Sequence, residues 1–578
     1  MGIRRALHRV RGNGCSRGIG WLKLAPLLCV APQAPAVAQV GPDAQALLRQ
    51  QARERELREQ QASVPQVRRE SPAAAAETLP MQESPCFRIA SIRLHGEDAK
   101  EFAWALHAAD PRGDRATGRC LGTQGINVVM RRVQNAIIAK GYVTTRVLAA
   151  PQDLSTGTLT LTVVPGRIGN IRFADGTPPH ATLWNALPAK PGDLLNLRDI
   201  EQALEIFKRV PSAQADIQIV PADGPGARPG QSDLVVAWRQ ERKARFTLTL
   251  DDSGSQATGK LQAGATLSLD HALHANDLFY LNVGHDAFSG SGQGTRSWAA
   301  HYDVPFGYWL IGANASGYHY RQSVAGHSQT YVYRGSSDNA DVRLARLLYR
   351  DATRKFGTYV RAWARESSTY IDDTEIEVQR RRTGGWEVGL TWRQFVGPAT
   401  LDASAGFRRG TGAFASLAAP EERFGEGTSR MKVITAEAQL AIPFRIGRQA
   451  LRYTGNWRAQ WSRTPLVAQD RFAIGGRYTV RGFDGEVSLT GERGWLLRND
   501  LGVTLGGGQE LYIAADYGHV GGPATAWQLG DHMAGMAIGL RGGWKGGYWD
   551  CFVGAPLDKP NGFPTAYTTT GFSLGWQF

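Results

Sequence analysis

A serine in a glycine-rich pattern offers the first candidate chemistry, nucleophilic hydrolysis. Residues 571–575, GFSLG, match the G-x-S-x-G pattern that presents the nucleophile of many hydrolases. In those enzymes the acid and the histidine of the catalytic triad follow the serine along the chain. Only three residues follow this motif, so the triad cannot be completed and we expect no enzyme.

Phosphate and metal binding give equally weak signals. Residues 254–260, GSQATGK, have the spacing of a phosphate-binding loop, but Leu261 stands where Ser or Thr should follow and no helix comes after it. This pattern is typical of a hairpin turn. The 12 histidines show neither H-E-x-x-H nor another paired ligand spacing. We therefore expect neither a metal site nor a cofactor.

Two separate segments hold an arginine and an aspartate, and an ion pair between them is what the family resemblance described below implies. The first segment is Val480-Arg481-Gly482-Phe483, and the second carries Asp516 and Gly518. A buried guanidinium needs a carboxylate partner, and such a pair would hold a loop in one position. Alternatively, Arg481 is a surface turn residue and Asp516 an ordinary acid at a strand end. The elements around the two residues decide between these interpretations.

The N-terminus predicts export from the cytoplasm. Residues 1–38 carry basic side chains and no acid, then an apolar stretch from Leu22 to Val37 and the small-residue pattern Ala36-Val37-Ala38. These features predict a signal peptide, residues 1–38, cleaved after Ala38. The segment supplies part of the net charge of +14, and the rest of the chain has no basic stripe of the kind that binds nucleic acid.

The next segment, residues 39–62, predicts a solvated helix. Strong helix formers fill residues 43–62, Asp43 stands at the N-cap position, and charges lie almost all round. Such a helix has no wide apolar face to bury in a core, so it is either a spacer or the occupant of an aqueous cavity. Residues 63–85 are rich in Pro, Ala, Ser and Glu and predict a flexible linker.

Two consecutive units of the order β-α-α-β-β follow, at residues 86–165 and 166–240. Their predicted helices lie at residues 99–108, 126–140, 180–187 and 198–209. The recurring order indicates an internal repeat of two small α+β domains. Cys86 and Cys120 both lie in the first unit, and an oxidising compartment permits a disulfide between them.

From residue 241 to Phe578 apolar and polar residues alternate between Gly, Asp and Asn turns. After the signal segment the sequence contains no run of about 18 apolar residues, so no transmembrane helix is predicted. The segment has room for about 16 antiparallel strands of an outer-membrane barrel, although a soluble sandwich or propeller would alternate in the same way. The chain ends with Phe572, Trp576 and Phe578 on one face, which resembles the signal by which outer-membrane barrels are recognised for insertion.

Several motifs together resemble the transporters of two-partner secretion, the TpsB proteins of the haemolysin and filamentous-haemagglutinin type. The run at 480–483 resembles a signature loop that folds into the barrel lumen, and residues 512–518 resemble a strand motif whose acid faces the lumen and pairs with the loop arginine. Residues 85–87, 125–127 and 140–145 resemble the first POTRA domain. The implied fold is an all-β transmembrane barrel of about 16 antiparallel strands, preceded by two small α+β POTRA domains and an N-terminal helix.

The resemblance implies an outer-membrane translocator that captures an unfolded exoprotein with periplasmic POTRA domains and secretes it through the barrel, where the helix at 39–62 acts as a plug. A sheet edge can bind an extended chain by strand addition, so we expect capture along Val128–Val147 and at the helix 198–209. The candidate cargo-binding residues are Ile126, Asn127, Tyr142, Thr144 and Thr145.

Three partners are expected on this interpretation. They are a secreted TpsA-type exoprotein (haemolysin, adhesin or contact-dependent toxin), the barrel assembly machinery, and outer-membrane lipid with lipopolysaccharide, whereas nucleic acid is not expected. The alternatives are a membrane-protein insertase of the same superfamily and a passive porin-like uptake barrel. Insertases usually carry more POTRA domains than two, which favours secretion.

Overall fold

The structure is a computed structural model that describes residues 42–61, 66–69, 77–223, 226–288, 290 and 292–578. The predicted signal peptide, residues 1–38, lies outside the described residues, and so does the side chain of the predicted N-cap Asp43. Among the described helices, none is both long enough and apolar enough to cross a membrane.

Helix α1 (Pro42–Gln61) opens the described chain. Its sequence places Arg, Glu and Gln on every side, so it lacks the apolar stripe by which a helix packs in a core. Of its described side chains, the buried ones are Ala44, Ala46 and Leu47, all near its first turns. The predicted solvated helix is confirmed.

The first repeat unit has a three-stranded sheet covered by one long helix. Its elements are β1 (Phe87–Arg88), β2 (Ser91–His95), β3 (Cys120–Leu121), α2 (Thr123–Ala139), β4 (Arg146–Leu148) and β5 (Thr158–Val164). The sheet order is β2-β5-β4, with β2 parallel and β4 antiparallel to β5. Because Val129, Val133 and Ile137 recur every four residues, α2 turns one apolar face onto the sheet. The predicted helix at 99–108 is a 3-10 helix, Ala103–Ala109.

The second unit repeats this arrangement. Its elements are β6 (Arg167–Phe173), α3 (Leu197–Phe207), β7 (Ala213–Pro221) and β8 (Gln231–Gln240), and the sheet order is β6-β8-β7. The prediction of a helix at 180–187 is wrong, because these residues form turns. Prolines at 178, 179 and 188 confine the segment, and its backbone bonds to the barrel instead, through the carbonyl of Asn185 and the N–H of Gly307.

The remaining strands build the barrel and its loops. They are β9 (Ala244–Asp251), β10 (Gln262–Asp270), β11 (Leu278–Asp286), β12 (Gly294–Phe306), β13 (Trp309–Ala325), β14 (Thr330–Arg350), β15 (Arg354–Ile371), β16 (Thr374–Glu375), β17 (Arg381–Val396), β18 (Ala399–Thr411), β19 (Lys432–Ile446), β20 (Gln449–Ser462), β21 (Phe472–Ile474), β22 (Leu489–Gly491), β23 (Arg493–Gly506), β24 (Gln509–Gly521), β25 (His532–Trp544), β26 (Gly547–Asp558) and β27 (Thr569–Gln577). Without the short β16, β21 and β22, the described residues contain sixteen antiparallel barrel strands, closed by the pairing of β27 with β9.

Short 3-10 helices lie between strands of the first repeat unit and of the barrel. They lie at Leu154–Thr156, Glu377–Gln379, Pro420–Phe424, Ala468–Asp470 and Pro523–Trp527. At the end of the barrel next to the second repeat unit, β12 and β13 are joined by residues 307–308 and β17 and β18 by residues 397–398. The opposite end carries longer loops, such as residues 412–431 and 463–492. Short turns on one side and long loops on the other are typical of outer-membrane barrels.

The wall shows which way the alternating strands face. In β17, Trp386, Val388 and Leu390 are exposed on the outer surface, whereas Thr383 and Glu387 are buried on the inner side. A soluble sandwich would hide the apolar face and expose the polar one. A band of exposed apolar side chains is stable only where lipid covers it, so the barrel is favoured over the sandwich and the propeller.

Candidate functional site

The barrel lumen holds two separate occupants, helix α1 and the loop between β20 and β23, residues 463–492. On one side of α1 they leave a cavity of about 1170 Å³, lined by charged side chains of the helix, the loop and the wall. A helix of 20 residues is about 30 Å long, close to the height of a barrel's apolar band. The lumen is therefore the candidate functional site.

The internal loop has a small apolar core of its own. Its hairpin pairs β21 with β22, and Ile474, Val480 and Phe483 pack against wall residues that include Val520 and Met533. Phe483 also meets Phe563 of the loop between β26 and β27 edge-on, with ring centroids 6.1 Å apart. The loop is thus packed against the wall like a piece of protein core.

Arg481 at the tip of this loop is paired with two carboxylates of the wall. Its Nε donates to Asp516 Oδ2 at 2.7 Å, its Nη2 donates to Asp516 Oδ1 at 2.7 Å, and its backbone N–H donates to Oδ2 at 3.0 Å. Asp500 Oδ1 lies 2.6 Å from the same Nη2. Arg481 and Asp516 are almost fully buried, so the geometry is that of a buried ion pair and not of a surface turn.

Glycines allow the loop tip to approach the wall this closely. Gly482 has φ +96°, and a Cβ there would lie 2.4 Å from the Ala555 carbonyl oxygen. A Cβ on Gly518 would lie 2.9 Å from Ile474. At Gly535 the corresponding distance to the Arg481 carbonyl oxygen is 1.8 Å. Sequence reasoning singled out the first and second of these glycines but missed Gly535 and the carboxylate of Asp500, because neither stands in a motif.

Helix α1 is held in the lumen by scattered polar contacts. Arg53 donates to Asp251 Oδ2 at 3.0 Å and to Gln262 Oε1 at 2.8 Å, both on the wall. Arg49 donates to the carbonyl of Gly485 at 2.6 Å, so the helix also touches the loop. Its first turns pack Ala46 and Leu47 against Tyr318 and Tyr320. The polar contacts are partly buried, and of these residues Arg53 and Asp251 line the cavity.

The fold and the lumen have matches among known proteins. Residues 230–542 match the family model described as haemolysin secretion/activation protein ShlB/FhaC/HecB. Residues 87–166 and 167–221 match two POTRA domain models, the first of them of the ShlB type. The chain belongs to this family. It is an outer-membrane transporter of the two-partner secretion class, whose POTRA domains lie in the periplasm.

Individual relatives agree with this placement. The chain is 36% identical to the outer membrane transporter CdiB-2 of Burkholderia pseudomallei over 92% of this chain and 93% of that protein. It is 24% identical to the hemolysin transporter protein ShlB of Serratia marcescens, over 77% and 78% of the two chains. The solved structure of CdiB from Acinetobacter baumannii matches with a TM-score of 0.81 and 31% identity, over 93% of this chain and 99% of that one.

The segment between α1 and the first POTRA domain is bound along both POTRA domains. The sequence predicts a flexible linker at residues 63–85. In the structure, residues 66–69 and 77–85 instead contact the folded domains. At Val67 the backbone N–H donates to Glu205 Oε1 at 3.1 Å and the carbonyl accepts from Arg350 Nη2 at 2.8 Å. The Pro, Ala, Ser and Glu content of this segment did not show that its backbone contacts charged side chains of α3 and the barrel.

The same segment caps helix α2. Both carboxylate oxygens of Glu83 accept backbone N–H groups at the start of the helix, from Gly122 and Gln124 at 2.8 Å and from Gly125 at 3.0 Å. Leu79 is buried in the core of the first POTRA domain. A carboxylate at a helix N-terminus is favoured by the free N–H groups and the helix dipole.

A second buried ionic cluster joins the second POTRA domain to the barrel. Arg350 at the end of β14 lies 2.9 Å from Glu205 Oε2 and 3.1 Å from Glu201 Oε2, both on α3. Burial raises the pKa of Glu205, but the hydrogen bond and charge of Arg350, with those of Lys355, outweigh it and lower the pKa below the ordinary value. The cluster therefore fixes α3, the linker and the barrel turn to one another.

The predicted cargo-binding residues occupy different surroundings. Ile126 and Asn127 lie half-buried on the first turns of α2, and the Tyr142 ring packs edge-on against Phe102 with centroids 5.1 Å apart. Thr144 is half-buried. Thr145 is fully buried and its hydroxyl oxygen accepts the N–H of Gly166 at 3.0 Å, so in this structure it joins the two POTRA domains and faces no open surface.

The remaining predicted residues lie in the first POTRA domain and in the last barrel strand. A disulfide joins Cys86 to Cys120, beside the pairing of β1 with β3. In β27, Trp576 is exposed on the lipid side together with the C-terminal Phe578, and Phe572 shares this face. These positions fit an insertion signal, whose role stays a prediction.

Proposed function

We propose that the protein secretes one partner exoprotein, which is captured unfolded by the POTRA domains and threaded through the lumen once helix α1 has left it. One observation carries the proposal: the lumen contains a helix held by partly exposed polar contacts beside a loop held by a buried ion pair. One occupant is suited to leave and the other to stay.

The space that α1 occupies is suited to a polypeptide. A helix with its side chains is about 10–12 Å across. An extended chain needs less, because neighbouring strands lie about 4.8 Å apart and stacked sheets about 10 Å apart. Departure of α1 therefore opens a path wide enough for an extended segment without movement of the wall.

Of the two predicted capture sites, the helix at 198–209 corresponds to α3, most of whose residues are buried and which is bound to Arg350, so capture is assigned to the edge of the first POTRA sheet. β4 pairs with β5 on one side and forms the outer strand of the order β2-β5-β4, and Leu148 on it is exposed. An extended cargo segment can add to such an edge through backbone hydrogen bonds, which tolerate many side chains. The half-buried Ile126, Asn127, Tyr142 and Thr144 of the same domain would supply side-chain contacts.

The proposed cargo is a TpsA-type exoprotein. Greater identity to a CdiB relative than to the hemolysin transporter favours a contact-dependent toxin among the three expected cargo classes. The barrel assembly machinery would insert the barrel through the aromatic end of β27. Outer-membrane lipid and lipopolysaccharide would then cover the exposed wall.

The test is export of the candidate partner into the medium by cells that carry Arg481→Ala. The matched control is Arg452→Ala, which removes another lumen arginine, half-exposed and bound to Glu510. At equal amounts of inserted barrel, we expect Arg481→Ala to abolish export and Arg452→Ala to retain most of it. Equal export by both variants would remove the role of the loop, and absence of any exported partner would favour the insertase or the uptake barrel.

A further inference from the structure

An exposed tryptophan of the second POTRA domain lies at the rim of the barrel. Trp184 has 63% of its surface exposed, although indole rings are usually covered. The next residue, Asn185, is buried, and its side-chain amide donates to the Pro305 carbonyl at 2.9 Å while its carbonyl accepts from Gly307 N–H at 2.8 Å. The position of Trp184 is therefore set by the barrel turn.

The rings nearest to Trp184 face lipid. Its ring centroid lies 5.8 Å from that of Phe306, the last residue of β12. Phe306 shares the outward face of β12 with Trp298, and Trp309 shares the outward face of β13 with Ile311. All are exposed, so Trp184 extends the apolar outer wall onto the POTRA domain.

A basic group completes this patch. The guanidinium carbon of Arg346 lies 4.7 Å from the centroid of the Trp309 ring. Arg346 lies on the outward face of β14 in register with Trp309, on the same face as Val342, Leu344 and Leu348. A cation beside aromatic rings at the end of an apolar wall is positioned to meet lipid phosphate groups.

We propose that Trp184, Phe306, Trp309 and Arg346, here named the rim patch, anchor the second POTRA domain to phospholipid of the periplasmic leaflet of the outer membrane. Two features favour lipid as the occupant. The patch is continuous with the lipid-covered wall, and its charge is complementary to phosphate. Aromatic side chains with one apolar and one polar edge concentrate at this depth of a membrane, where both edges are satisfied.

The anchor gives the second POTRA domain a fixed position during transport. Together with the Arg350 cluster on α3, the rim patch holds the domain at two places on the barrel end. Movements that admit cargo would then occur in α1 and in the first POTRA domain.

The test places a fluorescent label at position 184 in the full-length mature protein. The free thiol of Cys551 is removed by Cys551→Ser, Trp184→Cys is labelled with an environment-sensitive dye, and the protein is reconstituted in vesicles of phosphatidylethanolamine and phosphatidylglycerol. Met81→Cys, at a residue that is 96% exposed in the segment just before the first POTRA domain, is the matched control. Quenching is measured with a nitroxide lipid labelled near its headgroup and with aqueous iodide.

We expect the nitroxide lipid to quench the label at position 184 several-fold more than at position 81, and iodide to show the reverse order. Quenching of both positions by iodide alone would overturn the proposal. Loss of the lipid quenching at position 184 when cargo binds there would also overturn it, because the anchor is proposed to hold during transport. A second readout uses hydrogen exchange of residues 178–190 in the same vesicles. Trp184→Ser should speed exchange several-fold and Trp184→Phe should not, whereas equal exchange in both variants would contradict the anchor.

Discussion

The internal loop and helix α1 share one lumen, but their contacts differ in burial. The side chains of the loop's Arg481 and of Asp516 are 5% and 0% exposed and form a bidentate pair. The side chains of Arg53 and Asp251, which hold α1, are 21% and 14% exposed and form a single hydrogen bond with each other. An added apolar core supports the loop, while α1 has only a few buried side chains at one end.

This difference determines which occupant can leave. Removing one partner of a buried pair costs about 3–5 kcal/mol, because the other charge stays buried without compensation. A fully exposed pair contributes about 0.2–1 kcal/mol, and the partly exposed Arg53–Asp251 pair lies nearer to this limit than the loop pair does, because water reaches it. The loop therefore behaves as part of the wall, and the polar helix can exchange protein contacts for water at small cost.

The largest effect is expected from Arg481→Ala. We expect the free energy of unfolding of the barrel to fall by about 3–5 kcal/mol, because Asp516 loses its partner while it stays buried. Urea unfolding in detergent micelles measures this, with Arg452→Ala expected to change the value by less than about 1 kcal/mol. A double variant with Asp516→Ala should be less destabilised than the sum of the single ones, and full additivity would contradict the pair.

A smaller effect is expected from filling the gap between loop and wall. Gly535→Ala places a methyl group 1.8 Å from the Arg481 carbonyl oxygen, so the loop tip must shift, at a cost of about 1–3 kcal/mol. Gly412→Ala is the matched control, because no atom lies within 4 Å of its added Cβ. Urea unfolding of both variants measures the effect. Equal stability would show that the loop tip adapts freely, against the proposed fixed position.

For helix α1 we expect a small effect on stability and a large effect on channel opening. Arg53→Ala should lower barrel stability by about 0.2–1 kcal/mol yet increase the open fraction of channels in planar bilayers. Arg55→Ala is the control, because its contact with Glu437 is 4.0 Å long and half-exposed. Conductance unchanged by Arg53→Ala would mean that other contacts hold α1, and a large loss of stability would place the helix with the permanent structure.

The smallest effect is expected from low pH. Acid weakens the contact between Glu205 and the segment that follows α1, residues 66–69. The pKa of Glu205 is lowered from 4.5 in the folded protein, so its contribution to stability is fully present above 4.5 and is lost as pH falls through the folded value. Protonation weakens its bond to the N–H of Val67. Channel opening should therefore rise as pH falls through the folded pKa of Glu205, which lies below 4.5, measured as conductance against pH, and Glu205→Gln should flatten this dependence.

Much of the architecture could be predicted because its signals are local. The two-residue alternation after residue 241 indicated strands, and the fourfold spacing of apolar residues around Val133 indicated α2. The sequence of α1 lacks an apolar face, which predicted that this helix does not pack in a hydrophobic core. Arg481 and Asp516 could be paired through a family resemblance, although alternation alone left the barrel and the sandwich open.

Only the tertiary structure showed the contacts between separate segments of the chain. Barrel closure pairs Ser573 with Asp251, and this register sets which side chains meet across the lumen. Only then do Asp500 and Gly535 meet the tip of the loop, and only the packed POTRA domains show that Thr145 is buried. The sequence by itself determined most of the strands and long helices, because those follow from neighbouring residues, but not which face of the strands is turned outward. The two contacts that distinguish a fixed loop from a removable helix join residues 35 positions apart, Arg481 and Asp516, and 198 positions apart, Arg53 and Asp251, and only the folded chain brings them together.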